Sequence, residues 1–438
     1  QIISPDFGNP ETISSFDLFG FSMSIYKNMA TILSSTYDIS GGAGRAAYRM
    51  HKQFQLQGVD SKMLVLDKTI DDTSVVAINT NKIGKLQSKI SHNIDNIPLV
   101  FYKKPETTWS TGWFGFNVLH LDLIRQADVI ILYWVSGGFL TPKMIKKISL
   151  LNKPIIWRLS DMWPFTGGCH YSSTCFKYID GCGHCPQLKS NSNYDASSWL
   201  YNKKNNLWRD VDITIVCPSM WMEECAKNSK IFSNKNVIRI PTGIDVNIFK
   251  KIDKKIARHI LNLSQDKRLI LLGAINIDGD KRKGGIEAYN ALKDYIFEYG
   301  ASNVELVVFG TSNNIFKDLS VDVNIMGRVS DEYTLALLYS ASDVFIAPSK
   351  EENLANTVLE ALSCNTPVVA FNVGGMPDAI NHRINGYLAH PYDTKDIAKG
   401  IKWCLDLNKK NSLLDKNFFL EAQVSKYINL INALLNKN

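Results

Sequence analysis

No apolar stretch of this 438-residue chain approaches the roughly 20 residues that a membrane-spanning helix needs, so no helical span is expected. The start carries Asp6, Glu11 and Asp17 with no basic residue before Lys27, which does not read as a signal peptide. The chain opens on Gln1 rather than an initiator methionine, as an internal piece of a longer product would. Internal repeats and low-complexity tracts are absent. A composition of 45% hydrophobic and 21% charged residues is that of ordinary soluble globular domains, and the length allows two with substantial cores. An acidic surplus is also missing, since the net charge is +7. Residues 1–240 hold 26 basic and 19 acidic residues and carry the whole excess, whereas 241–438 hold 23 of each. The basic half reads either as a surface for anionic lipid headgroups or a pyrophosphate-linked acceptor, or as a solubilising surface.

What is present is organised around Pro348 to Leu362. The apolar run Ala341–Ala347, with Val344, Phe345 and Ile346, predicts a buried strand ending at Pro348. Ser349–Asn353 is a polar loop, and Val358, Leu359, Ala361 and Leu362 have helical spacing, with Asn356 or Thr357 placed to cap the helix start. Glu352 therefore sits on a loop at a strand's carboxyl end, and Glu360 about one turn inside the next helix. Open α/β sheets bind ligands at such places, and free N–H groups at a helix start suit phosphate. Glu360 can accept both hydroxyls of a ribose. Glu352 can orient sugar hydroxyls or stabilise positive charge at an anomeric carbon. Taken alone, the pair also reads as a solvated loop acid and a helix-surface acid.

The context narrows this choice. Pro348-Ser349-x-x-Glu352-x7-Glu360-Ala361 is followed by Pro367-Val368-Val369-Ala370, Gly374-Gly375 and Asn385-Gly386. Over Gly327–Asp393 this order and spacing resembles family 4 of the retaining glycosyltransferases. The resemblance implies a GT-B fold, an α/β architecture of two Rossmann-like domains facing a cleft, and sugar transfer from a nucleotide diphosphate donor. It also implies a last helix that crosses back to the first domain. The division expected is an extension at 1–28, an acceptor-side domain at 29–240, a donor-binding domain at 241–415 and the returning helix at 416–438. Pro241-Thr242-Gly243-Ile244-Asp245 resembles the family's crossing between domains.

Within the first domain, Gly41-Gly42-Ala43-Gly44 follows a predicted strand and opens a helix. Gly42-x-Gly44-x-x-Ala47, with Asp67 after the second strand, also fits the dinucleotide fingerprint, so an NAD-dependent enzyme is a competing reading. The resemblance instead implies that Gly42 and Gly44 approach the donor diphosphate across the cleft, and a plain turn that needs glycine is the third option. The Tyr102–Gly115 stretch, with Trp109 and Trp113, is expected to border an acceptor site. Loop 166–188 carries Cys169, Cys175, Cys182 and Cys185 amid Gly, Ser and Thr. Four thiolates predict a structural zinc site, with disulfides or redox-variable thiols and unligated cysteines as alternatives; His170 or His184 can replace a thiolate. Cys217, Cys225, Cys364 and Cys404 read as buried apolar thiols. The Thr166–Tyr171 run resembles a bacterial branch of the family found in surface-polysaccharide synthesis.

In the second domain the resemblance implies that Lys283 and Arg282 neutralise the donor diphosphate. Ala274 stands where the family often has Arg, and Arg282 is expected to substitute. It further implies base contacts near Arg328 and Val329, donor contacts at Asn353, Leu354, Thr357 and Glu360, and Glu352 facing the sugar. Ser160 stands where many relatives have His before Asp, leaving Asp161 as the first domain's expected catalytic residue. Asn365 replaces a usual Gly, and Asn tolerates a left-handed backbone. The expected enzyme is a retaining, metal-independent hexosyltransferase using a UDP-sugar first and a GDP-sugar second, with a glycan or lipid-linked acceptor and no nucleic-acid partner. It would work in the cytoplasm, with a peripheral contact at the inner face of the membrane. Asp278-x-Asp280 and Asp210-x-Asp212 fit a metal-binding Asp-x-Asp pattern without supporting context. A non-catalytic, zinc-stapled protein that binds membrane or nucleic acid on a transferase fold is the alternative from another class.

Overall fold

The computed structural model describes residues 30–79, 81–105, 107–273, 277, 279–311, 313, 315–407 and 414–437, except 36–40 and the side chains of 30–35. The proposed extension, Ala274 and Asp278 lie outside the described residues. Two all-parallel sheets organise the chain. The first, in the order β3-β2-β1-β4-β5-β6-β7, comprises β1 Ala30–Ser35, β2 Asp60–Val65, β3 Val75–Ala77, β4 Val129–Leu132, β5 Ile155–Arg158, β6 Thr214–Cys217 and β7 Asn236–Arg239. The second, in the order β10-β9-β8-β11-β12-β13, comprises β8 Arg268–Gly273, β9 Val304–Phe309, β10 Asp322–Ile325, β11 Val344–Ala347, β12 Val368–Phe371 and β13 Gly386–Ala389. Every residue of β4, β5, β6, β9, β11 and β12 is buried. Parallel strands covered by helices on both faces require this, and it is why they read as continuous apolar runs instead of alternating ones.

Each sheet reverses its order once, between β1 and β4 and between β8 and β11. Chain leaving the strands at these reversals forms the crevice in which open α/β sheets bind ligands. After β1 comes helix Gly42–Leu56, after β8 the short turn Lys281–Lys283, and after β11 the loop bearing Glu352. Hydrogen bonds between the domains place these segments opposite one another, as Asn356 Nδ2 donating to the Gly42 carbonyl at 3.0 Å shows.

Helix Leu420–Leu435 follows the second domain but packs on the first. Val424, Tyr427, Ile428 and Ile431 share a core with Ala47, Met50 and Phe54 of helix Gly42–Leu56 and with Val129 and Ile131 of β4. Its entry is pinned by Ile244, whose N–H donates to Phe418 O and whose carbonyl accepts from Leu420 N. Ile431 is fully buried, so Ile431→Ala should cost about 3 kcal/mol of stability through lost burial and a cavity. Denaturant unfolding checks this, and a cost within 0.5 kcal/mol of zero would mean that the helix docks loosely.

Candidate active site

Two adjoining cavities open between the domains. One, of about 330 Å³, is lined by Gly41, Gly42 and Ala43 on one side and by Leu354, Ala355, Asn356 and Thr357 on the other. Arg158, Arg282, Lys283, Ser160, Tyr171, Glu352 and Asn353 complete it. Its neighbour, of about 280 Å³, shares Gly42, Asn356 and Thr357 and adds Arg45, Gly310, Arg328, Val329 and Glu360.

Two helix starts meet at the first cavity. Helix Gly42–Leu56 follows Gly41, and helix Asn356–Ser363 follows Ala355; neither has a side-chain cap. The cap expected at Asn356 or Thr357 is not made, because both residues already lie inside the helix and Asn356 reaches across to Gly42. The leading N–H groups therefore carry partial positive charge into the cleft. Gly44 lies in the first turn of its helix, buried, and lines neither cavity.

The cations converge on Glu352. Lys283 Nζ lies 2.6 Å and Arg282 Nη1 3.0 Å from its Oε2, and the Tyr171 hydroxyl donates to Oε1 at 3.2 Å. Arg282 also stacks over the Tyr171 ring, 4.3 Å from its centroid. Burial raises the Glu352 carboxyl, but Lys283 and Arg282 outweigh it and bring it down to about 2. The carboxylate is thus ionised at neutral pH. Its loop is held by Gly374 and Gly375. A Cβ on Gly374 would lie 1.8 Å from the Glu352 carbonyl oxygen, and one on Gly375 1.7 Å from that of Asn353. Gly375 N–H donates to the Glu352 carbonyl at 3.0 Å.

In the second cavity Glu360 accepts from Arg49 Nη2 at 2.7 Å and from the Tyr339 hydroxyl at 3.1 Å. Arg49 belongs to the first domain and also pairs with Glu332 at 2.7 Å. Its Nη1 is buried without a partner among the described residues. Further bridges tie the rims. Asn353 Nδ2 donates to the Leu159 and Ser160 carbonyls at 3.1 and 3.3 Å, and Ser219 Oγ to Asn353 Oδ1 at 2.8 Å.

Sequence reasoning did not single out Arg49, Arg158 or Tyr171 as site residues. The first two carried a signal: Arg158 is the one charge of an apolar strand, and Arg49 falls, with His51, among the small and apolar residues on its helix's buried face. Other expected residues lie elsewhere. Asp161 lines neither cavity. It is buried in the first domain, 2.5 Å from His170 Nδ1, and accepts from Trp134 Nε1 at 2.6 Å and Trp163 N at 2.9 Å. His170 Nε2 in turn meets Ser110 Oγ at 2.9 Å, so the Asp161 charge is engaged inside the domain. Trp109 is buried against Gly168 rather than bordering the cleft. Asp280 accepts from Arg282, and Asp210 and Asp212 line a cavity remote from Glu352. Asp67 lines neither cleft cavity. Cys169, Cys175, Cys182 and Cys185 border one cavity of about 20 Å³, although no three metal-ligating groups among the described residues stand ready to hold an ion.

Glu351, one position before Glu352, is out of register with the seven-residue spacing, and nothing in the sequence marks it as more than a loop acid. It bridges the domains, accepting the Ser173 N–H at 3.1 and 3.0 Å. Burial pushes its carboxyl up to about 7, against the lowering effects of the Ser173 N–H and Arg282. The folded protein then keeps a proton that the unfolded chain releases, whose ordinary value is 4.5. The sign follows: the contribution is present below 4.5 and is lost as pH rises through about 7. Between about pH 5 and about pH 8 the melting temperature of the native protein should fall relative to that of Glu351→Gln. A difference that does not vary with pH would place Glu351 in water.

Comparison with known proteins agrees with this geometry. Residues 266–406 match the model of the glycosyl transferases group 1 family. An uncharacterized glycosyltransferase of Methanocaldococcus jannaschii is 28% identical over 349 residues, 74% of this chain and 84% of the relative. D-inositol 3-phosphate glycosyltransferase of Thermobispora bispora is 29% identical over 187 residues, 39% of this chain and 43% of that enzyme, so this chain spans less than half its length. Among solved structures, sucrose-phosphate synthase of Thermosynechococcus elongatus superposes with a TM-score of 0.64 at 17% identity, covering 94% of this chain and 100% of its own. HepE of Anabaena, in complex with UDP-glucose, does so with a TM-score of 0.57 at 14% identity, covering 93% and 98%. The chain therefore has the GT-B fold of these structures, and residues 266–406 within its second domain match a glycosyl transferases group 1 domain.

Proposed function

We propose that the chain transfers a sugar from a nucleotide diphosphate sugar with retention at the anomeric carbon. The observation that carries this reading is the convergence of two uncapped helix starts with Arg158, Arg282 and Lys283 on one cavity. That arrangement suits a diphosphate: the helix starts offer N–H donors and the side chains offer charge. The adjoining cavity, with Glu360 and the backbone at Arg328 and Val329, suits a ribose and a base. UDP is the first choice of nucleotide, since HepE was solved with UDP-glucose, and GDP is the second. As the bond from the anomeric carbon to the diphosphate oxygen breaks, Arg282, Lys283 and the helix starts meet the leaving charge, so the chemistry needs no divalent ion. Glu352, relieved of its cations by the diphosphate, faces the positive charge growing on the sugar. The acceptor hydroxyl attacks from the same face, and its proton passes to a diphosphate oxygen. The acceptor is a glycan or lipid-linked saccharide of bacterial polysaccharide synthesis, met at the cytoplasmic face of a membrane.

The two glutamates separate by kinetics. Glu360→Ala removes contacts made in ground and transition states alike and should mainly raise the donor's apparent KM. Glu352→Ala should mainly lower turnover, by about 10²–10³-fold, because the positive charge it faces exists only as the bond breaks. Donor hydrolysis in the absence of acceptor reads both constants. Unchanged hydrolysis in both variants would refute the assignment.

The cysteine cavity supports a structural zinc ion as a separate part of this proposal. Its volume admits about one water-sized sphere, which also suits one ion. N–H groups of Gln187 and Leu188 are directed at the Cys185 sulfur and that of Gly167 at Cys182, while the Thr166 hydroxyl donates to the Cys169 carbonyl at 2.6 Å. Four thiolates around Zn²⁺ leave a double negative charge. Burial lowers the amine of Lys204, held by the Trp163 and Thr166 carbonyls, to about 7, and Cys169 and Cys182 oppose that; beside four zinc-bound thiolates it would stay an ammonium and offset their charge. Metal analysis of protein purified without added zinc should find one ion per chain, and Cys182→Ser should lower the melting temperature. A metal-free protein with full stability and activity would reject the site.

A further inference from the structure

Helix Lys82–Asp95 is turned inside out relative to an ordinary surface helix. Its buried residues are Gly84, Ser88, Ser91 and Asp95, all small or polar. Its apolar residues Ile83, Leu86 and Ile90 face solvent, Ile83 at 72% exposure. The chain continues the pattern through the turn Ile97–Phe101, where Val100 is 71% and Phe101 85% exposed. At about 100° per residue the helix has three sectors: one packed on the domain, one apolar, and one formed by Lys82, Lys85 and Lys89.

The inversion follows from how the helix is seated. Its backbone lies so near the loop after β4 that a Cβ on Gly138 would come within 2.5 Å of the Ser91 carbonyl oxygen. Only small side chains fit that contact. Asp95, at the end of the helix, accepts N–H groups of Trp113 at 2.8 Å and Phe114 at 3.1 Å and so fixes the following chain. Packing on the domain therefore cannot use the isoleucines and leucine, and a lone domain in water gains nothing from exposing them.

The charge around the apolar sector has one sign. Lys82, Lys85, Lys89, Lys103 and Lys104 are exposed, and the only acidic residue between 82 and 105 is the buried Asp95. A second copy of the chain would bring like charges together. An anionic bilayer surface matches both features, since the apolar sector enters the headgroup boundary while the lysines meet phosphate. We propose that helix Lys82–Asp95 and the turn Ile97–Phe101 dock the first domain on an anionic lipid bilayer. This names the element behind the membrane contact proposed above and rests on that part of the reading, not on the sugar chemistry.

Sedimentation with lipid vesicles tests it and needs neither donor nor acceptor. The full chain should bind vesicles of mixed phosphatidylglycerol and phosphatidylcholine at about 0.05 M salt and lose most binding at about 0.5 M, where the Debye length is severalfold shorter. Vesicles of phosphatidylcholine alone should bind it at least about tenfold more weakly. Lys85→Glu with Lys89→Glu should remove the preference for the anionic lipid, and Leu86→Gln with Phe101→Ser should weaken binding at low salt by about tenfold or more. Both pairs lie outside the cleft, so donor hydrolysis in solution and melting temperature should stay as in the native chain. Equal binding to both vesicle types, or unchanged binding by both variants, would overturn the proposal. So would a dimer that Leu86→Gln with Phe101→Ser dissolves while vesicle binding is absent.

Discussion

The cleft depends on the buried ion cluster of Glu352 with Arg282 and Lys283. An isolated carboxylate at this depth would be driven to protonate, and isolated cations would pay the same desolvation cost. Together they satisfy one another, and the Tyr171 hydroxyl brings in the first domain. The backbone around the cluster is fixed by contacts too close for a side chain. Gly284, at φ +75°, sits where a Cβ would be 1.9 Å from the Pro348 carbonyl oxygen, and Gly374 and Gly375 press on Glu352 and Asn353. Loops after β8, β11 and β12 are thereby locked into one surface. A dianionic ligand entering there would exchange one anion for another around cations that are already positioned, the preorganisation that makes electrostatic stabilisation effective.

A second buried pair couples the domains. Arg49, on a helix whose other face packs against the returning helix Leu420–Leu435, reaches Glu360 and Glu332 in the other domain. Glu360 lines the cavity proposed to hold the ribose, so the carboxylate that fixes relative domain position is also the one proposed to meet the nucleotide. Glu351 with Ser173 and Asn353 with Leu159 and Ser160 repeat the arrangement at the rim. Opening the cleft breaks these bridges together and leaves buried charges to be solvated.

Much of this was legible in the chain because the pattern and the physics coincide. Within the apolar run Ala341–Ala347, Val344–Ala347 is a strand buried on both faces, and the chain then turns through the loop after Pro348 into helix Asn356–Ser363 as its periodicity predicts. Residues whose position depends on distant chain were not legible. Arg49 is one basic residue of a helix until the second domain brings Glu360 to it, 311 positions away. Asp161 resembles a cleft residue from its place after β5, but Trp134 and His170 draw it inward. Glu351 reads as a loop acid until Ser173 closes on it. The inverted helix Lys82–Asp95 was hidden for a different reason, since an amphipathic pattern does not say which face packs on the domain.

The most direct test of the account is calorimetric titration with UDP and with uridine, and in parallel with GDP and guanosine. The account predicts that one diphosphate binds at least about tenfold more tightly than its nucleoside, roughly 1.4 kcal/mol or more. Arg282→Ala with Lys283→Ala should abolish most of that difference and leave the nucleoside's own affinity nearly unchanged. Diphosphates that bind no better than their nucleosides, or an advantage that survives the double substitution, would contradict it.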